Sequence, residues 1–381
     1  MKILIAADSF KDALPAQDVC AAIARGVHMV MPHAEVIVFP LGDGGEGTAE
    51  VLTFHSKGRH IALQVHDSLF RPVTATYGIS EDGQTAFVEM AQAAGLQLLS
   101  PEVRNPLLTS TYGVGEMIRH ALAAGARHIV LCIGGSATND AGIGMAYALG
   151  YRFYSTASLL LKTQMTGAQL INIQAITSSD IPLETQAQLQ ATRFTVLYDV
   201  DNPLHGERGA AQVYARQKGA DDEAIKQLDA GLEHFAKVLQ QHFGQPFAQV
   251  PGAGAAGGLG AGAMAFLGAQ LQSGIHTVLD LTDFEAHLDG VNLILTGEGK
   301  IDAQTLQGKL ISGVVQRARG IPVVALCGTL LADVSAIQRI GLAAAFSILN
   351  QPLNLPEALE ATPHLLQQTT AQVVSLWKVN G

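Results

Sequence analysis

Residues 2–48, KILIAADSFKDALPAQDVCAAIARGVHMVMPHAEVIVFPLGDGGEGT, decide the fold class of this chain. The apolar run in Lys2 to Ala7 predicts a buried strand, and the periodic apolar residues from Pro15 to Val30 predict a helix. Glu35 to Phe39 predicts a second strand. A strand, a helix and a strand at this spacing form a βαβ unit with a right-handed crossover, so the two strands are parallel. The stretch therefore predicts a parallel α/β sheet.

The end of the chain repeats this alternation of strands and helices, whereas the middle does not. The elements predicted near the end are strands Val291–Leu295, Pro322–Leu326 and Ala343–Ile348 and helices Leu306–Ala318 and Pro356–Trp377. In the middle, Ile61–Val65, Pro72–Ile79 and Thr85–Glu89 are short apolar runs separated by turn residues, which favours an antiparallel meander. Strands are also predicted at Ile129–Ile133 and Phe194–Tyr198.

The chain has 381 residues, and single hydrophobic cores stop growing near ~250 to 300 residues, so we expect two domains. Because both ends are βα and the middle is not, we predict an α/β fold in which a doubly wound parallel-sheet domain is interrupted by an inserted domain. The predicted bounds are residues 1–58 and 290–381 for the first domain and residues 59–289 for the inserted α/β domain, which has a mixed sheet.

Composition excludes several classes of protein. Charged residues make up 15% of the chain, Gly occurs 40 times and the net charge is −10, with no run of like charges that could follow a phosphate backbone. We therefore expect no nucleic acid and no membrane as partner. Cys20, Cys132 and Cys327 lie far apart in apolar stretches, which predicts buried reduced thiols.

Two apolar segments could be mistaken for targeting or membrane segments. The run from Ile3 to Ala7 is too short for the core of a signal peptide, so we expect the protein to stay in the cytoplasm. Residues 251–275 carry no charge, but their first half is Gly and Ala, which favours a buried glycine loop that opens a helix over a membrane span.

Several predicted strands are followed by loops that combine glycines with carboxylates. In open α/β sheets ligands bind beyond the carboxyl ends of the strands, so these loops are the candidate site. They are residues 8–11 (DSFK), 42–48 (GDGGEGT), 134–140 (GGSATND), 199–203 (DVDNP) and 296–302 (TGEGKID).

The loop at residues 42–47 matches the G-x-G-x-x-G spacing of dinucleotide-binding proteins, but two details oppose that interpretation. The segment Val51–His66 lacks the acid that would bind the ribose, and Asp43 and Glu46 would repel a pyrophosphate from inside the loop. Carboxylates beside a phosphate-binding turn are expected where Mg²⁺ lies between them. Phosphoryl transfer therefore fits the loop better than hydride transfer.

The usual phosphate-binding and kinase motifs are absent from the sequence, so glycine-loop N–H groups and helix N-termini would have to hold the phosphates. Gly134–Asp140 and Gly252–Gly260 are candidates, although close helix packing explains the second equally well. Positive charge for the transferring group could come from four residues, Lys11, Arg71, Lys218 and Lys300.

At these residues the chain resembles the bacterial class I glycerate kinases. The resemblance rests on six blocks in order along the chain: ADSFK at 7–11, GDGGEGT at 42–48, GGSATND at 134–140, DVDNP at 199–203, GAGAAGGLGAG at 252–262 and TGEGKIDAQTLQG at 296–308. It implies a Rossmann-like domain interrupted by a second domain, with the active site in the cleft between them. It also implies phosphorylation of D-glycerate with ATP and Mg²⁺, on the 2-hydroxyl, in the breakdown of sugar acids or glyoxylate.

With this resemblance, each strand-end loop contributes residues with expected roles. The catalytic candidates are Asp8, Lys11, Asp43 and Asp199, with the base left open among the three aspartates. The substrate-binding candidates are Ser9, Arg71, Ser136 and Asn139. The nucleotide-binding candidates are Gly44, Gly45, Gly134, Gly135, Gly254, Gly257, Gly258, Gly297, Gly299 and Lys300. The metal-binding candidates are Glu46, Asp140, Asp201 and Glu298.

Two other functions remain open on the sequence alone. One is a nucleotide-dependent dehydrogenase of hydroxy acids, and the other is a non-catalytic sensor of sugar acids or nucleotides. The missing ribose acid opposes the first, and the lack of a DNA-binding or partner-docking segment opposes the second. The sequence leaves open whether the chain forms a homo-oligomer.

Overall fold

The computed structural model describes residues 1–156, 159–161, 164–302 and 310–380. The strands are β1 (Lys2–Ala7), β2 (Glu35–Val38), β3 (Arg59–His66), β4 (Pro72–Ile79), β5 (Thr85–Glu89), β6 (His128–Cys132), β7 (Arg152–Thr156), β8 (Leu159–Leu160), β9 (Ala175–Thr177), β10 (Arg193–Tyr198), β11 (Gln270–Ser273), β12 (Leu293–Ile301), β13 (Val323–Leu330) and β14 (Ala344–Ser347). The α-helices are α1 (Ala16–Val30), α2 (Thr48–His55), α3 (Ala91–Ala94), α4 (Tyr112–Ala123), α5 (Ile143–Leu149), α6 (Leu183–Ala191), α7 (Ala210–Tyr214), α8 (Asp222–Phe243), α9 (Ala255–Leu267), α10 (Gly274–Leu281), α11 (Leu310–Arg317), α12 (Val334–Arg339) and α13 (Leu355–Asn380).

The chain divides into two compact units. A discontinuous unit comprises Met1–Asp43 and Ile275–Gly381, and a continuous unit comprises Gly44–Gly274. The sequence placed the boundaries near residues 58 and 290. The boundaries differ because α2 packs on β4 and β5 and so belongs with those strands, and because Ile275 packs against Gly313 of α11.

The discontinuous unit contains a five-stranded sheet in the order β14-β13-β12-β1-β2, and every neighbouring pair in it is parallel. Helix α1 buries Val19 and Ile23 in the same core as Leu366 and Val374 of α13. The βαβ pattern at both ends of the sequence therefore predicted this sheet correctly, since its central strands come from the two ends of the chain.

Strand β12 is longer than the sequence predicted. The prediction ended this strand at Leu295 and made residues 296–302 a loop, but Glu298 pairs with Cys327 and Lys300 with Thr329 of β13. The pairing holds Gly297 and Gly299 within the strand. The first residues of the predicted helix at 306–318, and residues 303–308 of the last sequence block, lie outside the described residues.

The continuous unit contains a six-stranded mixed sheet in the order β11-β10-β6-β5-β4-β3. The predicted meander is confirmed, because β3, β4 and β5 pair antiparallel, whereas β5, β6, β10 and β11 pair parallel. A small antiparallel sheet, β8-β7-β9, lies in the same unit. The observed combination of a parallel sheet and a mixed sheet confirms the predicted α/β fold class.

Within the uncharged segment 251–275, residues 255–267 form the buried helix α9, which begins after a glycine turn, as predicted, and residues 270–273 form β11. In the described part of the chain, no helix combines the length and the apolar character that a membrane span requires. All three cysteines are buried and none of them is joined in a disulfide, which agrees with their prediction as reduced thiols.

Candidate active site

A cavity of about 490 Å³ lies at the carboxyl ends of the strands in the discontinuous unit. Residues that follow β1, residues at the end of β12 and β13, and residues after β14 all line it. We call it the acidic cavity. Its charged lining residues are Asp8, Lys11, Asp12, Asp43, Glu298, Lys300 and Asp302.

Asp8 is the most buried acid of this cavity, with 8% of its surface exposed. Its carboxylate accepts a hydrogen bond of 2.7 Å from the N–H of Ser9. Burial raises the pKa of the Asp8 carboxyl well above its ordinary value, and the nearby charges of Asp43 and Glu298 raise it further. The Ser9 N–H and Lys11 oppose this rise. The site therefore holds negative charges that an added cation would stabilise.

The structure thus brings together the sequence candidates from three separate loops. Asp8, Ser9 and Lys11 follow β1, Asp43 follows β2, and Glu298, Gly299 and Lys300 lie near the end of β12, and all of them line the acidic cavity. Lys300 forms an ion pair of 2.8 Å with Asp302. Carboxyl ends of neighbouring parallel strands meet at one edge of a sheet, which is why these loops converge.

Among the described residues, no group of three or more His, Cys, Asp or Glu side chains is arranged to hold a metal ion by itself. Mg²⁺ is usually bound through one or two carboxylates together with waters and substrate phosphates, so a magnesium site does not require such a group.

In the continuous unit, the loop at residues 44–47 packs against Gly134, which follows β6. A Cβ atom on Gly134 would lie 2.6 Å from the Cα of Gly45, so only glycine fits there. The N–H of Gly44 donates a hydrogen bond of 3.1 Å to Oγ1 of Thr48, at the start of α2. The two glycine loops that the sequence singled out are therefore in backbone contact.

Glu89 holds the first of these loops, and the sequence interpretation missed it. It is the last residue of β5, is 4% exposed, and accepts a hydrogen bond of 3.0 Å from the N–H of Gly47. Burial raises the pKa of its carboxyl from 4.5 to about 7, with N–H groups of Gly47 and Ala49 opposing the rise and Glu46 adding to it. The rule that ligands and charges gather at strand ends also points to Glu89.

This raised pKa predicts how Glu89 affects stability. The folded protein keeps a proton on Glu89 where the unfolded chain has released it, so its contribution is full below pH 4.5 and is lost as the pH rises through about 7. We expect Glu89→Gln to match the parent protein in melting temperature at pH 5 and to exceed it at pH 8. Scanning calorimetry at both values measures this, with Glu184→Gln as the control, because Glu184 is an exposed acid of α6 and is not among the charges that shift the pKa of Glu89. A difference independent of pH would contradict the assignment.

A second cavity, of about 250 Å³, lies in the continuous unit. We call it the lysine cavity, because Lys218 lines it together with Gly134, Gly135, Ser136 and Asp199. Gly44, Tyr198 and Tyr214 are also part of its lining. Asp199 is exposed and follows β10, so the lysine cavity also lies at the carboxyl ends of parallel strands.

Asp140 was predicted as a metal ligand, and in the structure its carboxylate is hydrogen-bonded within the fold. It is fully buried, and its carboxylate accepts four hydrogen bonds, from the N–H and Oγ1 of Thr111 and the N–H groups of Gly142 and Gly144. Three of these hydrogen bonds reach Oδ2 and one reaches Oδ1, so a metal ion would compete with them for the carboxylate. Asp140 therefore holds the loop between β6 and α5 and the start of α4 in place.

Gly254, Gly257 and Gly258 were predicted as nucleotide contacts, with close packing as an equal alternative. The structure shows the packing. A Cβ atom would lie 2.2 Å from the Pro203 carbonyl oxygen at Gly254 and 2.0 Å from the Thr138 carbonyl oxygen at Gly257, and none of the three glycines lines the lysine cavity. Positive φ values at Ala256, Gly257 and Gly258 interrupt the helix, so its regular part begins later.

A pair of substitutions separates the effect of this packing from the effect of backbone strain. Gly257 and Gly83 have nearly the same left-handed backbone, with φ of 68° and 71°, but no atom lies within 4 Å of a Cβ at Gly83. We expect Gly83→Ala to lower the free energy of unfolding by about 1–2 kcal/mol. Gly257→Ala, which adds the clash with Thr138, should lower it by about 2–5 kcal/mol. Urea denaturation measures both, and equal losses would show that the packing is not tight.

Six other candidates line neither cavity, and two of them are the glycines Gly45 and Gly297. Arg71 is bound in a turn, where its Nε donates to the buried Asp67 at 2.6 Å. Asp201 is exposed and pairs with Arg208 at 3.4 Å. Glu46 is exposed on its loop. Asn139 is fully buried, and neither polar atom of its amide has a hydrogen-bond partner among the described residues.

Comparisons with known proteins agree over the whole chain. Residues 3–378 match the model of the glycerate kinase family. A glycerate kinase of Bacillus cereus (strain ATCC 10987) is 45% identical over 381 residues, which cover 100% of this chain and 98% of that protein. A glycerate 2-kinase of Escherichia coli (strain K12) is 41% identical over 94% of this chain and 93% of its own length.

One solved structure shares the fold along its full length. A crystal structure from Salmonella typhimurium LT2, described as a glycerate kinase 2, superposes with a TM-score of 0.87 at 40% identity. The match covers 100% of this chain and 99% of that one. The order of strands and helices described above is therefore the same fold as that of a related protein whose crystal structure is known.

Proposed function

Since the chain belongs to the glycerate kinase family and is therefore a phosphotransferase with an alcohol group as acceptor, we propose that it transfers the γ-phosphoryl group of ATP to D-glycerate. The product of this reaction would be 2-phospho-D-glycerate. The relative named glycerate 2-kinase supports the choice of the 2-hydroxyl. Membership in this family favours the kinase over the two alternatives that the sequence left open, a dehydrogenase and a non-catalytic sensor.

The acidic cavity is the observation that carries this proposal. Phosphoryl transfer needs positioning and charge stabilisation, which carboxylates with a bound cation and nearby lysines supply. Asp8, Asp43 and Glu298 interact electrostatically in one cavity, with Lys11 beside them. The acidic cavity, at about 490 Å³, also has room for a nucleotide, since pockets that bind small molecules have volumes of ~300 to 1,000 Å³.

The donor set of the acidic cavity fits Mg²⁺. Asp8, Asp43 and Glu298 offer hard carboxylate oxygens, and the charges of Asp43 and Glu298 both act on the buried Asp8, so a divalent cation among the three would offset their repulsion. When bound, Mg²⁺ would neutralise the charge that develops on the transferring phosphoryl group. Lys11 and Lys300 would contact phosphate oxygens from the same lining, and Gly299 lets the backbone come close to them.

Asp199 is the proposed base. It is the one carboxylate among the described residues that line the lysine cavity, and it is exposed there to a bound substrate. A carboxylate within hydrogen-bond reach accepts the proton of the attacking hydroxyl as the bond to phosphorus forms and the bond to the departing ADP oxygen breaks. Asp8 and Asp43, the other two candidates for the base, are better suited to the metal.

A coupled assay of ADP release tests the reaction. With ATP, Mg²⁺ and D-glycerate, we expect turnover that depends on all three compounds, and no reduction of nicotinamide nucleotides with the same acid. The control omits D-glycerate, so that hydrolysis of ATP by water is measured separately. An absence of turnover across hydroxy acids of three to six carbons would refute the proposal.

A further inference from the structure

Lys218 is a buried cation for which the described residues supply no ion-pair partner. Its surface is 2% exposed, and no carboxylate of the described residues lies within 4.0 Å of its ammonium group. Nζ donates a hydrogen bond of 2.6 Å to the carbonyl oxygen of Thr138 and another of 3.2 Å to Oγ of Ser136. An ammonium has three donors, so the described residues satisfy two of them.

Burying an ammonium without a counter-ion is costly. Burial lowers the pKa of Lys218 from 10.5 to about 7, and Asp140 opposes the shift only partly. Asp140 is not an ion-pair partner, because its oxygens already accept hydrogen bonds from Thr111, Gly142 and Gly144. An anionic ligand would supply the missing charge.

The lysine cavity gives such a ligand access to this group. Lys218 lines the cavity beside Ser136, whose hydroxyl also accepts a hydrogen bond of 3.1 Å from the N–H of Thr138. The cationic and hydroxyl groups are therefore fixed by the backbone of the 134–140 loop before any ligand binds. The Ser136 hydroxyl is already hydrogen-bonded to Thr138 and so holds Lys218 in place, and the third N–H of Lys218 is the donor that can make a charge-assisted hydrogen bond to a carboxylate.

We propose that Lys218 and Ser136 form the subsite that binds the carboxylate of the hydroxy-acid substrate. The assignment rests on the proposed function and names the residues that select an acid over an uncharged polyol. The lysine cavity, at about 250 Å³, is about half the size of the acidic cavity and suits a three-carbon acid. Asp199 in the same lining would repel a triphosphate, whereas it can accept a hydroxyl proton from a hydroxy acid.

Steady-state kinetics of Lys218→Gln test the subsite. Losing a charge-assisted hydrogen bond to a buried ligand should raise KM for D-glycerate by about 10- to 100-fold. KM for ATP should stay within about twofold of the parent value. The matched control is Lys237→Gln, an exposed lysine of α8 paired with Glu233, for which neither KM should change.

Two outcomes would overturn the assignment while leaving the kinase activity established. One is an unchanged KM for D-glycerate, and the other is a rise confined to KM for ATP, which would make the cavity a phosphate site.

If Lys218→Gln does not fold, Ser136→Ala tests the subsite instead. This variant keeps the lysine and should raise KM for D-glycerate by about 3- to 10-fold. An unchanged KM for D-glycerate in that variant would refute the subsite. A parent protein without turnover on D-glycerate would instead refute the proposed function.

Discussion

Asp43→Asn lowers kcat by about 10²- to 10³-fold if the acidic cavity holds the metal, because several kcal/mol of transition-state stabilisation are lost with one ligand. The substitution keeps the size of the side chain and removes one of the charges that raise the pKa of Asp8. The melting temperature should therefore stay the same or rise, since a repulsive pair is gone. Initial rates at saturating substrates, with calorimetry on the same samples, measure both quantities.

Asp12→Asn is the matched control for this prediction. Asp12 lines the same cavity, but it is exposed and is not among the charges that shift the pKa of Asp8. Asparagine also tolerates its left-handed backbone, with φ of 66°. We expect kcat within about threefold of the parent value for this variant. An unchanged kcat for Asp43→Asn would remove Asp43 from the site, and a loss explained by unfolding would make its role structural.

The second large effect is expected from a chelator. Removing divalent cations in this way should reduce turnover to background. Phosphoryl transfer relies on a metal to neutralise developing charge, and the described residues of the acidic cavity offer carboxylates and only two lysines, Lys11 and Lys300. Excess Mg²⁺ should restore the full rate. Full turnover in the chelator would show that lysines alone stabilise the transition state.

A binding measurement supports this prediction without relying on activity. A ligand that binds the folded state raises the melting temperature by mass action, so Mg²⁺ with ADP should raise it in the parent protein. The shift should be smaller in Asp43→Asn and unchanged in Asp12→Asn. An equal shift in all three proteins would place the metal outside the acidic cavity.

The sequence predicted the acidic cavity well, because the rule behind it is topological. Parallel strands present their carboxyl ends at one edge of the sheet, so Asp8, Asp43 and Glu298 had to converge once the βαβ pattern was recognised. The same rule includes Glu89, since it ends β5. The loop motifs indicate only the acids inside glycine loops, whereas Glu89 lies in a strand and reaches a glycine loop only through tertiary packing.

Other features depended on contacts that a sequence does not display. An acid that accepts hydrogen bonds from its own loop, such as Asp140, has the same sequence context as a metal ligand. Gly254 and Gly257 are required by the backbones of Pro203 and Thr138, which lie far away in sequence. Lys218 was one of four candidate cations, and only its burial singles it out.

Phosphorus NMR of the reaction product tests the central claim most directly. With ATP, Mg²⁺ and D-glycerate, we expect a new phosphomonoester signal that proton coupling splits into a doublet, because phosphorus on the 2-hydroxyl couples to the single proton at C2. A triplet would place the phosphoryl group on the 3-hydroxyl, whose carbon carries two protons, and would contradict the proposed product. No new phosphomonoester with an active, folded sample would contradict glycerate phosphorylation itself.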